Sequence, residues 1–228
     1  MMQVCHTSSR MYSFENTAKG MAYLTTFNNK ITEMEFHSSQ IYHIYNRGNN
    51  KQPIFFKPEN YLYFLEKVRR FILPHCEILS YCLMPNHFHF LIHADDRTVE
   101  TKLISNRQRN VLSEGIRNLL QTYSKAINIQ NSSTGSLFQQ NTKAKCLTNG
   151  NIYYSETCFH YIHQNPMKAG LVVKMEDWIY SSFPDYSGFR SGTLCNRELG
   201  FELLDIDKEH FYTDSYKIIN DSHINMIF

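Results

Sequence analysis

The chain has 228 residues, 42 % apolar and 14 % aromatic, with a formal net charge of +2. That length is enough to bury a large core, and that composition excludes a disordered or fibrous protein. No apolar run approaches the ~20 residues needed to cross a bilayer, and the opening MMQVCHTSSRMYSF lacks the basic start and apolar middle of a secretory signal.

Cys5, Cys76, Cys82, Cys146, Cys158 and Cys195 are scattered without a CxxC pair. This spacing argues against a zinc ribbon or a disulfide framework and fits reduced thiols in a cytoplasmic protein with no membrane partner. The charge is uneven. Residues 201–228 carry six acids against Lys208 and Lys217, which leaves 21 basic and 15 acidic side chains, a net of +6, in residues 1–200. Between 102 and 125, Lys102, Arg107, Arg109, Arg117 and Lys125 face only Glu114. That cluster is a candidate phosphate-facing surface, although most charge runs are simply solvated.

Residues 1–38 mix Ser, Thr, Asn and Gly without periodicity and read as a flexible extension. From Ser39, SQIYHIYNRG alternates β-branched and aromatic residues with polar ones, then stops at a turn-prone Arg47-Gly48-Asn49-Asn50. A helix is expected from Pro58, where proline suits the first turn; Tyr61, Phe64, Leu65, Val68 and Ile72 give its apolar stripe and Pro74 its end. Residues 76–83 and 86–93 are two apolar strand-like runs broken at Met84-Pro85-Asn86, read as one bent or bulged element.

A second helix is expected over 111–129, with Ser113 as its cap, followed by a loop at NSSTG and a return to strand composition in SLFQQNTKAKCL. A last helix should run from about Ser155 toward Pro166, and residues 191–228 read as an acidic, helical tail. The alternation of strand and helix predicts an α+β fold, helices packed on an antiparallel sheet.

Within the apolar run LMPNHFHFLI, His87 and His89 are two apart and so leave the same face of a strand, while Phe88 and Phe90 leave the other toward a core. Paired imidazoles suit a divalent metal, each needing its second nitrogen oriented by an acceptor. Nucleotide-binding enzymes of the histidine-triad type use three alternating histidines, but Leu91 stands where the third belongs. Endonucleases with a histidine–hydrophobe–histidine pair hold a metal on the scissile phosphate while a tyrosine attacks it. CFHYIHQNPMKAG offers such a tyrosine: on a helix Tyr161 and Asn165 share a face one turn apart, whereas His163 points elsewhere and reads as structural or as a DNA contact. Pro166 biases Asn165 away from helical geometry.

Taken in order, YHIYNRGNNKQPIFF (42–56), YCLMPNHFHFLI (81–92), GSLFQQNTKAK (135–145), YIHQNPMKAGLV (161–172) and DWIYSSFPDY (177–186) resemble the single-tyrosine transposases, and within them the REP-associated tyrosine transposases. The resemblance covers residues 39–190. It implies a ferredoxin-like fold with a central antiparallel sheet, a divalent Mg²⁺ or Mn²⁺, and cleavage and rejoining of single-stranded or hairpin DNA, possible targets being REP-like palindromes, through a 5′-phosphotyrosine. By motif position it implies Tyr161 as nucleophile, His87, His89 and Asn165 as metal ligands, and Asn46, Arg47, Lys143 and Lys145 as DNA contacts; Arg107, Arg109 and Arg117 are expected DNA contacts from the charge cluster alone. The chain departs from many relatives after Phe138-Gln139, where Gln140-Asn141-Thr142-Lys143 replaces a more basic segment. Relatives include monomers and homodimers. The rival expectation is a catalytically silent or housekeeping module that binds palindromic hairpins.

Overall fold

A computed structural model describes residues 34–148, 152–219 and 221–228. Most of the expected N-terminal extension, residues 1–33, lies outside the described residues; residues 34–228 belong to one compact unit. That unit is α+β: four antiparallel strands with helices packed on them. In chain order the elements are β1 (Gln40–Arg47), α1 (Pro58–Phe71), β2 (Glu77–Met84), β3 (His87–Ala94), the short α2 (Asp96–Val99), β4 (Thr101–Ile104), β5 (Arg107–Asn110) and α3 (Val111–Gln130). They continue with β6 (Lys143–Cys146), α4 (Ile152–Lys168), α5 (Phe183–Tyr186), α6 (Arg197–Leu203), α7 (Phe211–Ser215) and α8 (Asp221–Met226).

The main sheet has the order β2-β3-β1-β6, and β4 and β5 form a separate two-stranded hairpin. Alternation along the two central strands divides the core. Tyr42 and Ile44 of β1 and Phe88, Phe90 and Ile92 of β3 meet Phe64 and Val68 of α1 and Ile116, Leu119 and Tyr123 of α3 on one face. Ile41 and Leu91 meet Cys158, Phe159 and Ile162 of α4, together with Phe211 and Ile227 from the C-terminal helices, on the other. Both faces of the central strands are therefore covered, and Phe88 and Phe90 are buried as their alternation predicts.

Two local expectations need correction. The runs around Met84-Pro85-Asn86 are not one bent element but hairpin partners, with Met84 opposite His87. The turn carries no glycine and no positive φ, the usual marks of a tight hairpin. It is held from outside: the Pro85 carbonyl accepts from Ile54 and Phe55 N–H at 2.8 and 3.1 Å, and Gly48 N–H donates to the Asn86 carbonyl at 2.8 Å. The second correction is the cap of α3, which is Asn110, its side chain accepting from Ser113 N–H at 2.9 Å, and not Ser113.

Pro166 lies inside α4, so Asn165 is within the helix, which ends three residues past it at Lys168. Gly170 (φ 68°) reverses the chain there, with Gly170 N–H on the Met167 carbonyl at 3.0 Å and Leu171 N–H on the Pro166 carbonyl at 2.9 Å. Further on, DWIYSSFPDY extends the sheet edge: Leu83 N–H donates to the Tyr180 carbonyl at 2.9 Å, Ser182 N–H to the Tyr81 carbonyl at 3.0 Å, and the Trp178 indole to the Leu83 carbonyl at 3.1 Å. No helix among the described residues is long and apolar enough to cross a membrane.

Candidate active site

The odd-numbered positions of β1 and β3 build one wall of a cleft on the α4 side of the sheet. Register sets Arg47 opposite His87 and Tyr45 opposite His89, and β6 adds Lys143 opposite Tyr45. Tyr161 of α4 faces them, and the cleft between has a volume of about 360 Å³. Asn46, Gln139, Asn141 and Phe228 complete its described lining, which contains the cations Arg47 and Lys143 and no Asp or Glu side chain. Such a lining favours an anion.

His87 and His89 stand edge to face with ring centroids 4.9 Å apart, and the His89 and Tyr161 centroids are 5.9 Å apart. Phe228 lies against both His89 and Tyr161, at 6.1 and 5.4 Å. His89 is almost wholly buried, 2 % exposed, and its Nε2 has no hydrogen-bond partner. Its Nδ1 is 2.8 Å from His43 Nε2, and His43 Nδ1 is 2.9 Å from the Ile227 carbonyl. His87 Nδ1 is 2.6 Å from Asn86 Oδ1, whose amide nitrogen is already committed to the Lys51 carbonyl at 3.2 Å. A carboxamide oxygen only accepts, so His87 Nδ1 carries the proton and leaves its Nε2 bare.

Burial pushes the imidazoles of His87 and His43 down to about 4, aided at His87 by the Arg47 charge; burial holds His89 well below the usual histidine range, with neighbouring His43, His87 and Arg47 acting in the same direction. Both cleft histidines are thus neutral at physiological pH, the form that ligates a metal. The Tyr161 phenol is pushed up from its ordinary value by burial, and the neighbouring Asn165 amide offsets part of that rise. Asn165 Nδ2 is itself buried and forms no hydrogen bond of ordinary geometry.

These residues fit a divalent ion in donor chemistry: two neutral imidazoles, one with an orphaned buried nitrogen, and a carboxamide one helical turn from the phenol. Among the described residues no cluster of three or more His, Cys, Asp or Glu side chains could hold a metal. His87 and His89 line the cleft whereas Asn165 does not; an ion held by the three would have no acidic side chain among those ligands.

The other sequence candidates divide. The Asn46 amide pins the loop after Phe138, donating to the Gln139 carbonyl at 3.2 Å and Thr142 Oγ1 at 2.9 Å and accepting from Arg47 N–H at 2.7 Å. Lys145 is exposed on β6, opposite His43 and two residues from Lys143. Arg107, Arg109 and Arg117 do not line the cleft. Arg107 is exposed on the β4–β5 hairpin, whereas Arg109 and Arg117 both pair with Glu114. His163 is buried, 2.7 Å from Ser182 Oγ and packed on Phe159 and Phe183, a structural role. Sequence reasoning missed His43, Tyr45 and the C-terminal segment, whose Ile227 and Phe228 reach the site.

The sequence matches no family model and no curated protein. Compared with solved structures, the chain is similar to a REP-associated tyrosine transposase bound to a REP hairpin, at 17 % identity and a TM-score of 0.48, over 66 % of this chain and 81 % of that one.

Proposed function

We propose that this protein is a DNA strand-transferase of the single-tyrosine class, which cleaves and rejoins single-stranded or hairpin DNA through a phosphotyrosine. The observation that supports this reading best is the convergence on one basic cleft of His87, His89 and Tyr161, residues that lie up to 74 positions apart. The strand order β2-β3-β1-β6, with helices following the first and third strands of that sheet in chain order, is that expected of a ferredoxin-like split βαβ arrangement. On this reading residues 39–190 form the catalytic domain and residues 191–228 cover its α4 face.

The phosphodiester enters beside Arg47 and Lys143, whose charges hold its oxygens, with Lys145 extending that surface and Asn46 keeping the 139–142 loop in place. The Tyr161 oxygen forms a bond to phosphorus as the bond to the 3′-oxygen breaks; the phenol gives up its proton and the departing 3′-oxygen gains one. The phosphotyrosine retains the energy of the broken bond, so a 3′-hydroxyl can reverse the step without a nucleotide cofactor. A Mg²⁺ or Mn²⁺ ion held by His87, His89 and Asn165 would supply electrophilic stabilisation of the phosphate charge. The side chains do the positioning: β1 and β3 fix the imidazoles, and α4 fixes the phenol and the amide on one face.

The test is to incubate the protein with labelled hairpin oligonucleotides and Mn²⁺ and resolve the products on denaturing protein gels. A labelled protein band is expected from the native chain and not from Tyr161→Phe. Tight hairpin binding with no covalent band would instead support a palindrome-binding module.

A further inference from the structure

We propose that His43 is a positioning residue for His89, relaying the polarity of the Ile227 backbone carbonyl so that the bare Nε2 of His89 faces the cleft. The inference rests on the reading of His87 and His89 as a metal-binding pair, but it concerns the imidazoles alone.

A carbonyl oxygen can only accept a hydrogen bond. His43 Nδ1, 2.9 Å from the Ile227 carbonyl, therefore carries a proton. His43 is fully buried in the sheet and its ring nitrogens meet only a carbonyl and another imidazole among the described residues, so a second ring proton would place an uncompensated charge in the interior. Its Nε2 is thus an acceptor. The nitrogen 2.8 Å away, His89 Nδ1, must then be the donor. With the proton fixed on Nδ1, a neutral His89 presents a lone pair at Nε2, the one polar atom of the ring that has no partner.

The chain of donors runs in one direction, from His89 to His43 to Ile227. Reversing it would require the Ile227 carbonyl to donate, which it cannot do. A histidine kept only to fill the core would need none of this polarity, and Tyr45 and Phe228, at 4.6 and 5.3 Å from its ring, already supply apolar contact. The same logic operates independently at His87, where Asn86 Oδ1 accepts a hydrogen bond from Nδ1–H. The two ligands are thus set by acceptors of different origin, one local in the hairpin turn and one supplied by the segment that follows α8.

The experiment is ¹⁵N NMR of the histidine rings in the metal-free full chain, with Mn²⁺ affinity measured separately. In the native protein His89 should carry its proton on Nδ1 and none on Nε2. His43→Phe keeps a ring in the core but removes the acceptor; it should mix the two His89 tautomers and weaken Mn²⁺ binding by about ten- to a hundredfold. His43→Gln, which restores an acceptor within reach, should recover most of both. A native spectrum with the proton on His89 Nε2 overturns the inference even if the variants fail to fold. So does a folded His43→Phe protein whose His89 tautomer and Mn²⁺ affinity match the native ones. A native protein with the expected tautomer but no affinity for Mn²⁺ upholds the relay and overturns the metal reading instead.

Discussion

Tyr161 does its proposed work from an environment that opposes it. Burial raises the phenol's pKa, so the phenolate is scarce at neutral pH. The rate of adduct formation should therefore climb with pH between about 7 and 9, approaching tenfold per unit if the phenolate is the attacking form; a rate flat across that range, followed by gel-resolved time courses, would place the attacking proton elsewhere. The donor set makes a second expectation. On the proposed reading two imidazoles and an amide bring no negative charge, so an ion there would take its charged ligand from the DNA phosphate. Mn²⁺ should bind at least about tenfold more tightly when a hairpin oligonucleotide is present, and the oligonucleotide more tightly with Mn²⁺ by the same factor; titration of each in the other's presence checks both. The His87/His89 pair was legible because two imidazoles at a two-residue spacing can only share a strand face. His43 was not. A single histidine in an alternating strand carries no pattern, and its hydrogen-bond partners lie 46 and 184 residues away in the chain.

Among elements, the strands of the main sheet and the long helices were legible from periodicity; the exposed β4–β5 hairpin, whose strands carry no apolar alternation, and the junctions were not. The β2–β3 turn has no glycine because backbone groups of Gly48, Ile54 and Phe55 hold it, and such long-range bonds leave no local signal. Gly115 is a related case: a Cβ there would lie 2.1 Å from the Phe71 carbonyl oxygen, so α1 and α3 approach as closely as they do only because α3 lacks a side chain at that point. Gly115→Ala should cost about 1–3 kcal/mol, several degrees in Tm by calorimetry, and leave Mn²⁺ affinity unchanged, since these helices pack on the face opposite the cleft. The basic residues separate in the same way. Arg47 lines the cleft, whereas Arg117 is bound to Glu114 by two hydrogen bonds. Arg47→Ala should reduce the salt slope of single-strand DNA binding by about 0.7, and Arg117→Ala should leave it nearly unaltered.

For the whole molecule, the covered α4 face stores histidines in their neutral form. His160, like His43 and His87, is pushed down to about 4, mainly by burial. The unfolded chain titrates near 6.5, so between 6.5 and about 4 it binds more protons than the folded chain does. Stability is then full above pH 6.5 and falls as the pH drops, by about 1.4 kcal/mol per pH unit for each such group. Urea midpoints should decline steadily from pH 7 to 5. The acidic C-terminal residues looked like a tail because composition shows charge, not where Phe211 and Ile227 go; both are buried against α4. The most direct measurement is the site of attachment: a hairpin oligonucleotide is reacted with the native protein and Mn²⁺, the adduct digested, and the nucleotide-bearing peptide sequenced by mass spectrometry. The account predicts a nucleotide joined through its 5′-phosphate to Tyr161. A nucleotide on any other side chain, or no adduct from a folded protein that binds the hairpin, would contradict it.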